Sequence, residues 1–213
     1  MPHHVTLDVA DPDEVLRGAM TRGHTRAQLF RRGAGAVVAG GLVIGGLPAV
    51  AEGKPSAALD ARVLNFALLL EYLESEFYVQ AVAGGALSGR LLEFARTVRD
   101  HELAHVEFLA KALGSAAIPK PTFDFQGTTT DATKFAATAM VLEDLGVMAY
   151  DGQGYKLRPK TLAAAATIVS VEARHAAWIR HIMGVSPAPT DLNRQLGRNE
   201  VEAQVAATGF VKA

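Results

Sequence analysis

The chain has no cysteine among its 213 residues. Thiolate metal ligands, iron–sulfur clusters, cysteine nucleophiles and disulfides are therefore excluded. Aromatic residues make up only 7% of the chain, and no stretch of useful length alternates polar and apolar residues. Abundant alanine favours helices over strands. The formal net charge is −1, so no charge excess points to nucleic acid or an acidic membrane surface as a partner. These limits predict an all-α protein without a nucleic-acid partner.

The first 51 residues have the three-part layout of an export signal. Five arginines between positions 17 and 32 precede an uncharged stretch over 33–50 that is rich in glycine and alanine. An A-x-A site follows at Ala49-Val50-Ala51, which predicts cleavage after Ala51. The alternative is a retained anchor, although an apolar stretch of this length only marginally spans a bilayer. Membrane contact is therefore expected only through 33–50, and only if the segment stays attached.

The arginine-rich flank resembles a twin-arginine export signal. In "TRAQLFRR", Thr25, Arg26, Leu29, Phe30 and Arg31 match that pattern, whereas Ala27 stands in place of the second arginine. The resemblance implies export of a folded protein, which would allow a metal to be loaded beforehand. An ordinary secretory signal is the alternative. Either route predicts an exported protein in the periplasm, the cell envelope or the extracellular space.

Beyond a linker over 52–58, the apolar periodicity predicts four long helices, over about 59–82, 90–113, 131–150 and 159–183. Asp131 is the expected N-cap of the third, and the glycine-rich "DGQGY" is expected to end it after Tyr150. The long connection between the second and third helices allows a crossover, as in ferritin-like bundles. We therefore expect a ferritin-like four-helix bundle over 59–185 and a C-terminal tail over 186–213 with one or two short helices.

Every predicted helix carries a glutamate on its apolar stripe, and two helices add a histidine three residues later. A buried carboxylate is costly unless it is paired or bound to metal. Residues three apart share a helix face, so each glutamate and histidine can reach one metal pair. Four glutamates and two histidines suit a dinuclear iron or manganese site with two ions per chain. The predicted ligands are Glu71, Glu102, His105, Glu143, Glu172 and His175.

Some assignments stay open in the sequence. Glu74 lies one turn after Glu71 and competes with it as the ligand from the first helix, or else supports the ligands. Tyr78 and Tyr150 are expected either to donate hydrogen bonds to ligating carboxylates or to pack in the core. In the alternative without metal, the glutamates lie at the edges of the stripes and pair with arginines. The arginines available for such pairs are Arg90, Arg96 and Arg174.

The motif "HELAH" over 101–105 also matches the H-E-x-x-H pattern of zinc metalloproteases. That mechanism needs His101 and His105 as ligands, Glu102 as the base and a third ligand. The metzincin continuation fails, because Phe108 and Lys111 stand where glycine and histidine are required. The second motif, "VEARH" over 171–175, has no histidine before its glutamate. We therefore expect only Glu102 and His105 to contact metal and His101 to point elsewhere.

Four segments together resemble exported bacterial ferritin-like domain proteins, a group that includes desiccation-related proteins. These segments are "LNFALLLEYLESEFY", "DHELAHVEFLAKALG", "LEDLGVMAYDG" and "SVEARHAAWIR", and the tail "RNEVEAQVAATGFV" also fits. The resemblance implies a ferritin-like bundle and matches the six predicted ligands to that family's metal positions. By analogy, Glu102 and Glu172 would bridge the two ions, while Glu71 and Glu143 would bind one ion each.

The expected function is binding and oxidation of Fe(II), or reaction with oxygen or peroxide, in protection of the cell envelope against stress. A di-iron oxidase of the ferroxidase type is one form of this activity. The alternative is a structural module of a coat or filament with a vestigial or stabilising metal site. Metal ions and oxygen or peroxide are the expected partners, and a homo-oligomer is compatible with the sequence.

Overall fold

The computed structural model describes residues 54–212. Four long helices dominate it: α1 (Ala57–Ala83), α2 (Gly89–Leu113), α3 (Ala132–Gly154) and α4 (Pro159–Ile182). A short 3-10 helix (Gly114–Ala116) and strand β1 (Thr122–Phe123) lie between α2 and α3, and α5 (Arg198–Thr208) and strand β2 (Val211–Lys212) follow α4. The prediction of an all-α four-helix bundle is confirmed. The predicted export signal and its cleavage site lie outside the described residues.

Local capping explains where the long helices begin. The Ser56 hydroxyl accepts a hydrogen bond from the Leu59 amide at the start of α1, and the Asp131 carboxylate accepts one from the Lys134 amide at the start of α3. Asp131 is thus the N-cap expected from the sequence. Pro159 occupies the first turn of α4, where its missing N–H costs nothing.

The helices pack as two hairpins. A short loop joins α1 to α2 and another joins α3 to α4, so each pair is antiparallel, and the two pairs meet through α1 with α3 and α2 with α4. The long connection after α2 supplies the predicted crossover. It is held in place by β1, which pairs antiparallel with β2, with Thr122 opposite Lys212 and Phe123 opposite Val211.

The third helix is longer than the sequence predicted. It continues through "DGQG" to Gly154, so the prediction that this segment ends the helix was wrong. The reason is tertiary. The chain before α5 crosses α3 so closely that a methyl group on Gly152 would lie 1.9 Å from the Leu196 carbonyl oxygen. The Leu196 amide also donates a hydrogen bond to the Met148 carbonyl, at 3.1 Å. Gly152 therefore admits a crossing segment instead of ending the helix.

The apolar core has two regions, with polar side chains between them. One region contains Phe77, Phe94, Phe125 and Phe135, and includes a stacked pair, Phe77 and Phe135, with ring centroids 5.1 Å apart. The other, towards the opposite ends of the long helices, contains residues such as Leu68, Leu109 and Ile168. The buried glutamates and histidines lie between these regions along each helix. Among residues 54–212, no helix is both long and apolar enough to cross a membrane.

Candidate metal centre

Each long helix contributes one fully buried glutamate to the middle of the bundle. Glu71 (α1), Glu102 (α2), Glu143 (α3) and Glu172 (α4) each have 0% of their surface exposed. His105 and His175, one helical turn after Glu102 and Glu172, are 9% and 2% exposed. All six predicted ligands therefore lie in the core rather than at the edges of the helix stripes.

The six side chains form two overlapping groups that share Glu102 and Glu172. We call the group with Glu71 and His105 the His105 position, and the group with Glu143 and His175 the His175 position. Within each group, the four candidate ligand atoms lie within 4.8 Å of one another. Ligands bound to one cation at 2.0–2.6 Å are separated by up to roughly 5 Å, so each group has the size of a coordination shell.

The ring nitrogens of both histidines face the carboxylates. Nδ1 of His105 lies 3.0 Å from Glu172, 3.2 Å from Glu102 and 3.3 Å from Glu71. Nδ1 of His175 lies 3.1 Å from Glu102, 3.3 Å from Glu143 and 3.6 Å from Glu172. Each histidine thus presents one nitrogen to three carboxylates, as a ligand of a shared cation would.

Several of these buried atoms have no hydrogen-bond partner. They are Glu71 Oε2, Glu102 Oε1, Glu143 Oε2, both carboxylate oxygens of Glu172, and His175 Nδ1. These atoms belong to the two groups whose candidate ligand atoms lie within 4.8 Å of one another. Buried polar atoms are normally satisfied, so this many orphaned atoms at one place is the pattern expected of residues that bind a cation. The donor set of carboxylate oxygens and imidazole nitrogens fits iron or manganese.

The charges of the metal-free centre are balanced only by protons. Burial disfavours a charged His105 or His175, but the surrounding carboxylates outweigh burial and raise the pKa of each to about 12. Burial and neighbouring carboxylates raise the pKa of Glu102 well above its usual value. Burial raises the pKa of Glu143 to about 7, against the opposing effect of His175. Burial opposes ionisation of Glu172, but hydrogen bonds from His105 and His175 lower its pKa to about 2, so without a cation Glu172 would be the ionised partner of the two protonated histidines.

The alternative pairing with arginines is not observed. Within residues 54–212, the ion pairs of the four central glutamates are those with His105 and His175, whereas the arginine pairs lie elsewhere, as in Arg158 with Asp60 and Arg180 with Asp144. Asp144 is half-buried in this ion pair.

Two tyrosines donate hydrogen bonds to Glu71 and Glu143, the two outer carboxylates that each belong to one group only. The Tyr78 hydroxyl on α1 donates a hydrogen bond to Glu143 on α3, and the Tyr150 hydroxyl on α3 donates one to Glu71 on α1, at 2.5 Å. Burial, followed by the adjacent carboxylate, raises the pKa of each tyrosine well above its usual value, so both remain donors. Of the two roles left open for these tyrosines, the structure shows the hydrogen bond, in addition to core packing for Tyr78.

Glu74 is also inside the bundle, 3% exposed, but belongs to neither group of candidate ligands. Its carboxylate lies against Gly146 of α3, where an added methyl group would be 3.3 Å from Glu74 Oε1 and 3.7 Å from Glu172 Oε2. Burial, then Glu143 and Glu172, raise the pKa of Glu74 well above its usual value. The structure therefore places Glu71 among the candidate ligands and Glu74 beside them.

His101 does not point away from the centre, contrary to the sequence-based expectation. Its Nδ1 lies 2.8 Å from Nε2 of His175, and the two rings stack with centroids 5.1 Å apart. His101 is absent from both groups, so the "HELAH" histidines do not form a zinc pair. His101 is exposed as a residue, and the partial burial of its ring, then His175 and His105, lower its pKa. The spacing from His101 to His105 placed both on one face of α2, but the contact with α4 depends on the packing of the helices.

The bundle and its crossover define the ferritin-like class of folds, and the cluster of four glutamates and two histidines is compatible with a di-metal site in it. Residues 59–185 match the family model described as a ferritin-like domain, and the chain therefore belongs to the ferritin-like domain family. A comparison with curated proteins found no significant match.

Proposed function

We propose that the protein binds two iron or manganese ions between its four helices and uses them to oxidise Fe(II) or to react with oxygen or peroxide. The observation that carries this proposal is the convergence of buried carboxylate oxygens and a histidine nitrogen without hydrogen-bond partners. They form two groups, each the size of one coordination shell. A bound iron or manganese pair would supply electrons to oxygen or peroxide.

The glutamates and tyrosines of the centre would have different roles in binding a pair of metal ions. Glu102 and Glu172 belong to both groups and would be ligands of both ions, whereas Glu71 and Glu143 each belong to one group and would be ligands of one ion. Tyr150 and Tyr78 fix the orientations of these two outer carboxylates. The apolar regions on either side exclude water from the centre, which strengthens every electrostatic interaction within it.

We further propose that the protein acts after export, in the periplasm, the cell envelope or the extracellular space, where removal of Fe(II) or peroxide would protect the cell against stress. The support for export is the layout of arginines, apolar stretch and A-x-A site within the first 51 residues. N-terminal sequencing of protein recovered from cell fractions of its native host would test this. A mature N-terminus at position 52 in the exported fraction is expected.

Metal analysis of the protein purified from its native host tests the centre. We expect two transition-metal ions per chain, loss of both in Glu102→Ala, and loss of at least one in His175→Ala. Glu107→Ala is the matched control, because Glu107 is an exposed glutamate on the same helix as Glu102. An unmodified protein without transition metal would overturn the proposal.

Oxygen consumption on addition of Fe(II) tests the activity separately. The unmodified protein and Glu107→Ala should consume oxygen in proportion to the Fe(II) added, and Glu102→Ala should not. A protein that binds two ions but consumes neither oxygen nor peroxide would be a metal-stabilised scaffold, which is the structural alternative.

A further inference from the structure

The centre is built from two similar halves. In α1 and α2, Glu71 is followed by Tyr78 seven residues later, and Glu102 is followed by His105. The same spacings recur in α3 and α4, at Glu143, Tyr150, Glu172 and His175. The tyrosine hydrogen bonds are exchanged between the halves, because Tyr78 donates to Glu143 and Tyr150 donates to Glu71. By these residues alone, the two positions would be equivalent.

Two residues break this equivalence. Glu74, three residues after Glu71, corresponds to Gly146, three residues after Glu143. His101, which precedes Glu102, corresponds to Val171, which precedes Glu172. One half therefore carries a carboxylate and an imidazole that the other half lacks.

Both additional groups lie beside the same position. Glu74 occupies the space opposite Gly146, where an added methyl group would lie 3.3 Å from Glu74 Oε1 and 3.7 Å from Glu172 Oε2. That oxygen of Glu172 is the one that faces His175, at 3.6 Å from its Nδ1. His101 contacts His175. Glu143 and His175 are the two residues that belong to the His175 position alone.

Glu74 is a buried carboxylate that has no partner of opposite charge among the described residues. The residue is 3% exposed, and among residues 54–212 it forms no hydrogen bond and no ion pair, while its oxygens are less completely enclosed than those of the four central glutamates. A buried carboxylate without a partner is costly, and a nearby cation is what would offset that cost. Four central carboxylates already neutralise two divalent cations, so Glu74, ionised by a cation beside it, would add negative charge on one side only.

His101 orients the histidine ligand on that same side. If Nδ1 of His175 binds a cation, the ring proton of His175 is on Nε2. This N–H then donates a hydrogen bond to Nδ1 of His101, at 2.8 Å. Partners of this kind fix the tautomer and the ring orientation of a ligand, and their loss typically weakens metal binding by about 10–100-fold. No corresponding contact to the second ring nitrogen of His105 occurs among the described residues.

We propose that the two metal positions are inequivalent, and that Glu74 and His101 make the His175 position the tighter one, which fills first. This inference rests on the proposed dinuclear centre. In it, Glu74 is a fifth carboxylate that attracts an oxygen-preferring cation to the His175 position. His101 is a positioning residue that acts through His175.

Mn(II) binding to the full chain, followed by the electron paramagnetic resonance signal of free Mn(II), tests the proposal. The unmodified protein should bind two Mn(II) with affinities at least about 10-fold apart. His105→Ala should retain only the tighter Mn(II)-binding step, and His175→Ala should retain only the weaker step. Failure to bind any Mn(II) would contradict the proposed centre, whereas two equal steps would contradict this inference alone.

The Glu74 variant is then compared in these single-position backgrounds. Glu74→Gln, which keeps the size of the side chain, should weaken binding about 10-fold or more with His105→Ala and leave binding with His175→Ala unchanged. Glu76→Gln is the control, since Glu76 lies on the same helix but pairs with Lys120 at the surface. Equal weakening of both positions, or of neither, would overturn the role of Glu74.

His101 is tested by a pair of substitutions. His101→Leu removes the acceptor and should weaken only the His175 position, whereas His101→Asn retains an acceptor oxygen near the place of Nδ1 and should restore most of the affinity. Weakening by both variants alike, with thermal melting unchanged, would show that the imidazole does not act through this hydrogen bond.

Discussion

Tyr78 and Tyr150 show how single side chains prepare the centre. Tyr78 lies on the same helix as Glu71 and donates to Glu143, and Tyr150 lies on the same helix as Glu143 and donates to Glu71. Helices α1 and α3 thus hold each other's candidate ligands in place. The sequence identified both tyrosines as candidates because they share a stripe with the glutamates. It did not show which carboxylate each would reach, because that depends on how α1 and α3 are rotated against each other.

The tyrosine hydrogen bonds can be removed one at a time. We expect Tyr78→Phe to weaken metal binding at the His175 position and Tyr150→Phe to weaken it at the His105 position, each by about 10-fold, because the freed carboxylate loses its orientation. Mn(II) titration in the single-position backgrounds measures this. Tyr72→Phe is the control, since its hydroxyl contacts the Ile118 carbonyl instead. An effect on the opposite position would contradict the exchanged hydrogen bonds.

Among the helices, α3 departs most from its predicted length. Glycines in "DGQGY" indicated an end, but they serve the approach of the segment before α5. Periodicity and capping residues predicted the other long helices within a few residues, because these signals are local. The close crossing at Gly152 involves residues more than forty positions apart, and no local signal marks it.

Gly152 can be tested against a glycine two residues away. Gly152→Ala would place a methyl group against the Leu196 backbone, and overpacking of this kind typically costs about 1–3 kcal/mol. We therefore expect a melting temperature lower by roughly 2–10 °C. Gly154→Ala, whose methyl group would lie 3.4 Å from a Leu162 methyl, should be neutral or slightly stabilising. Calorimetry compares the two variants, and equal melting temperatures would contradict the close crossing.

For the molecule as a whole, metal binding and stability are linked through protons. The pKa of Glu143 is raised to about 7 and those of His105 and His175 to about 12, so the folded metal-free protein binds more protons than the unfolded chain. A raised pKa contributes stability below the unfolded value, and that contribution is lost as the pH rises through the folded value. The metal-free protein should therefore lose stability as the pH rises above about 5.

Thermal melting after chelation, from pH 5.5 to 8.5, checks this sign. The unfolding free energy of the chelated protein should fall by about 1.4 kcal/mol per pH unit for each excess bound proton. The metal-loaded protein should not show this fall, because cations replace the protons, so the stabilisation by metal should grow with pH. Equal slopes with and without metal would contradict the charge balance of the centre.

The order of residues in the chain was enough to predict the helical class, the bundle with its crossover and the six side chains that meet in its core. Those predictions depend on residues three, four or seven apart, which share a helix face wherever the helix lies. The order of residues did not predict the contacts between helices. The position of Glu74 opposite Gly146, the contact of His101 with His175 and the crossing at Gly152 arise from the rotation and separation of packed helices. These are set by the packing of the whole core, so only the folded chain shows that Glu74 and His101 lie beside the same candidate metal position.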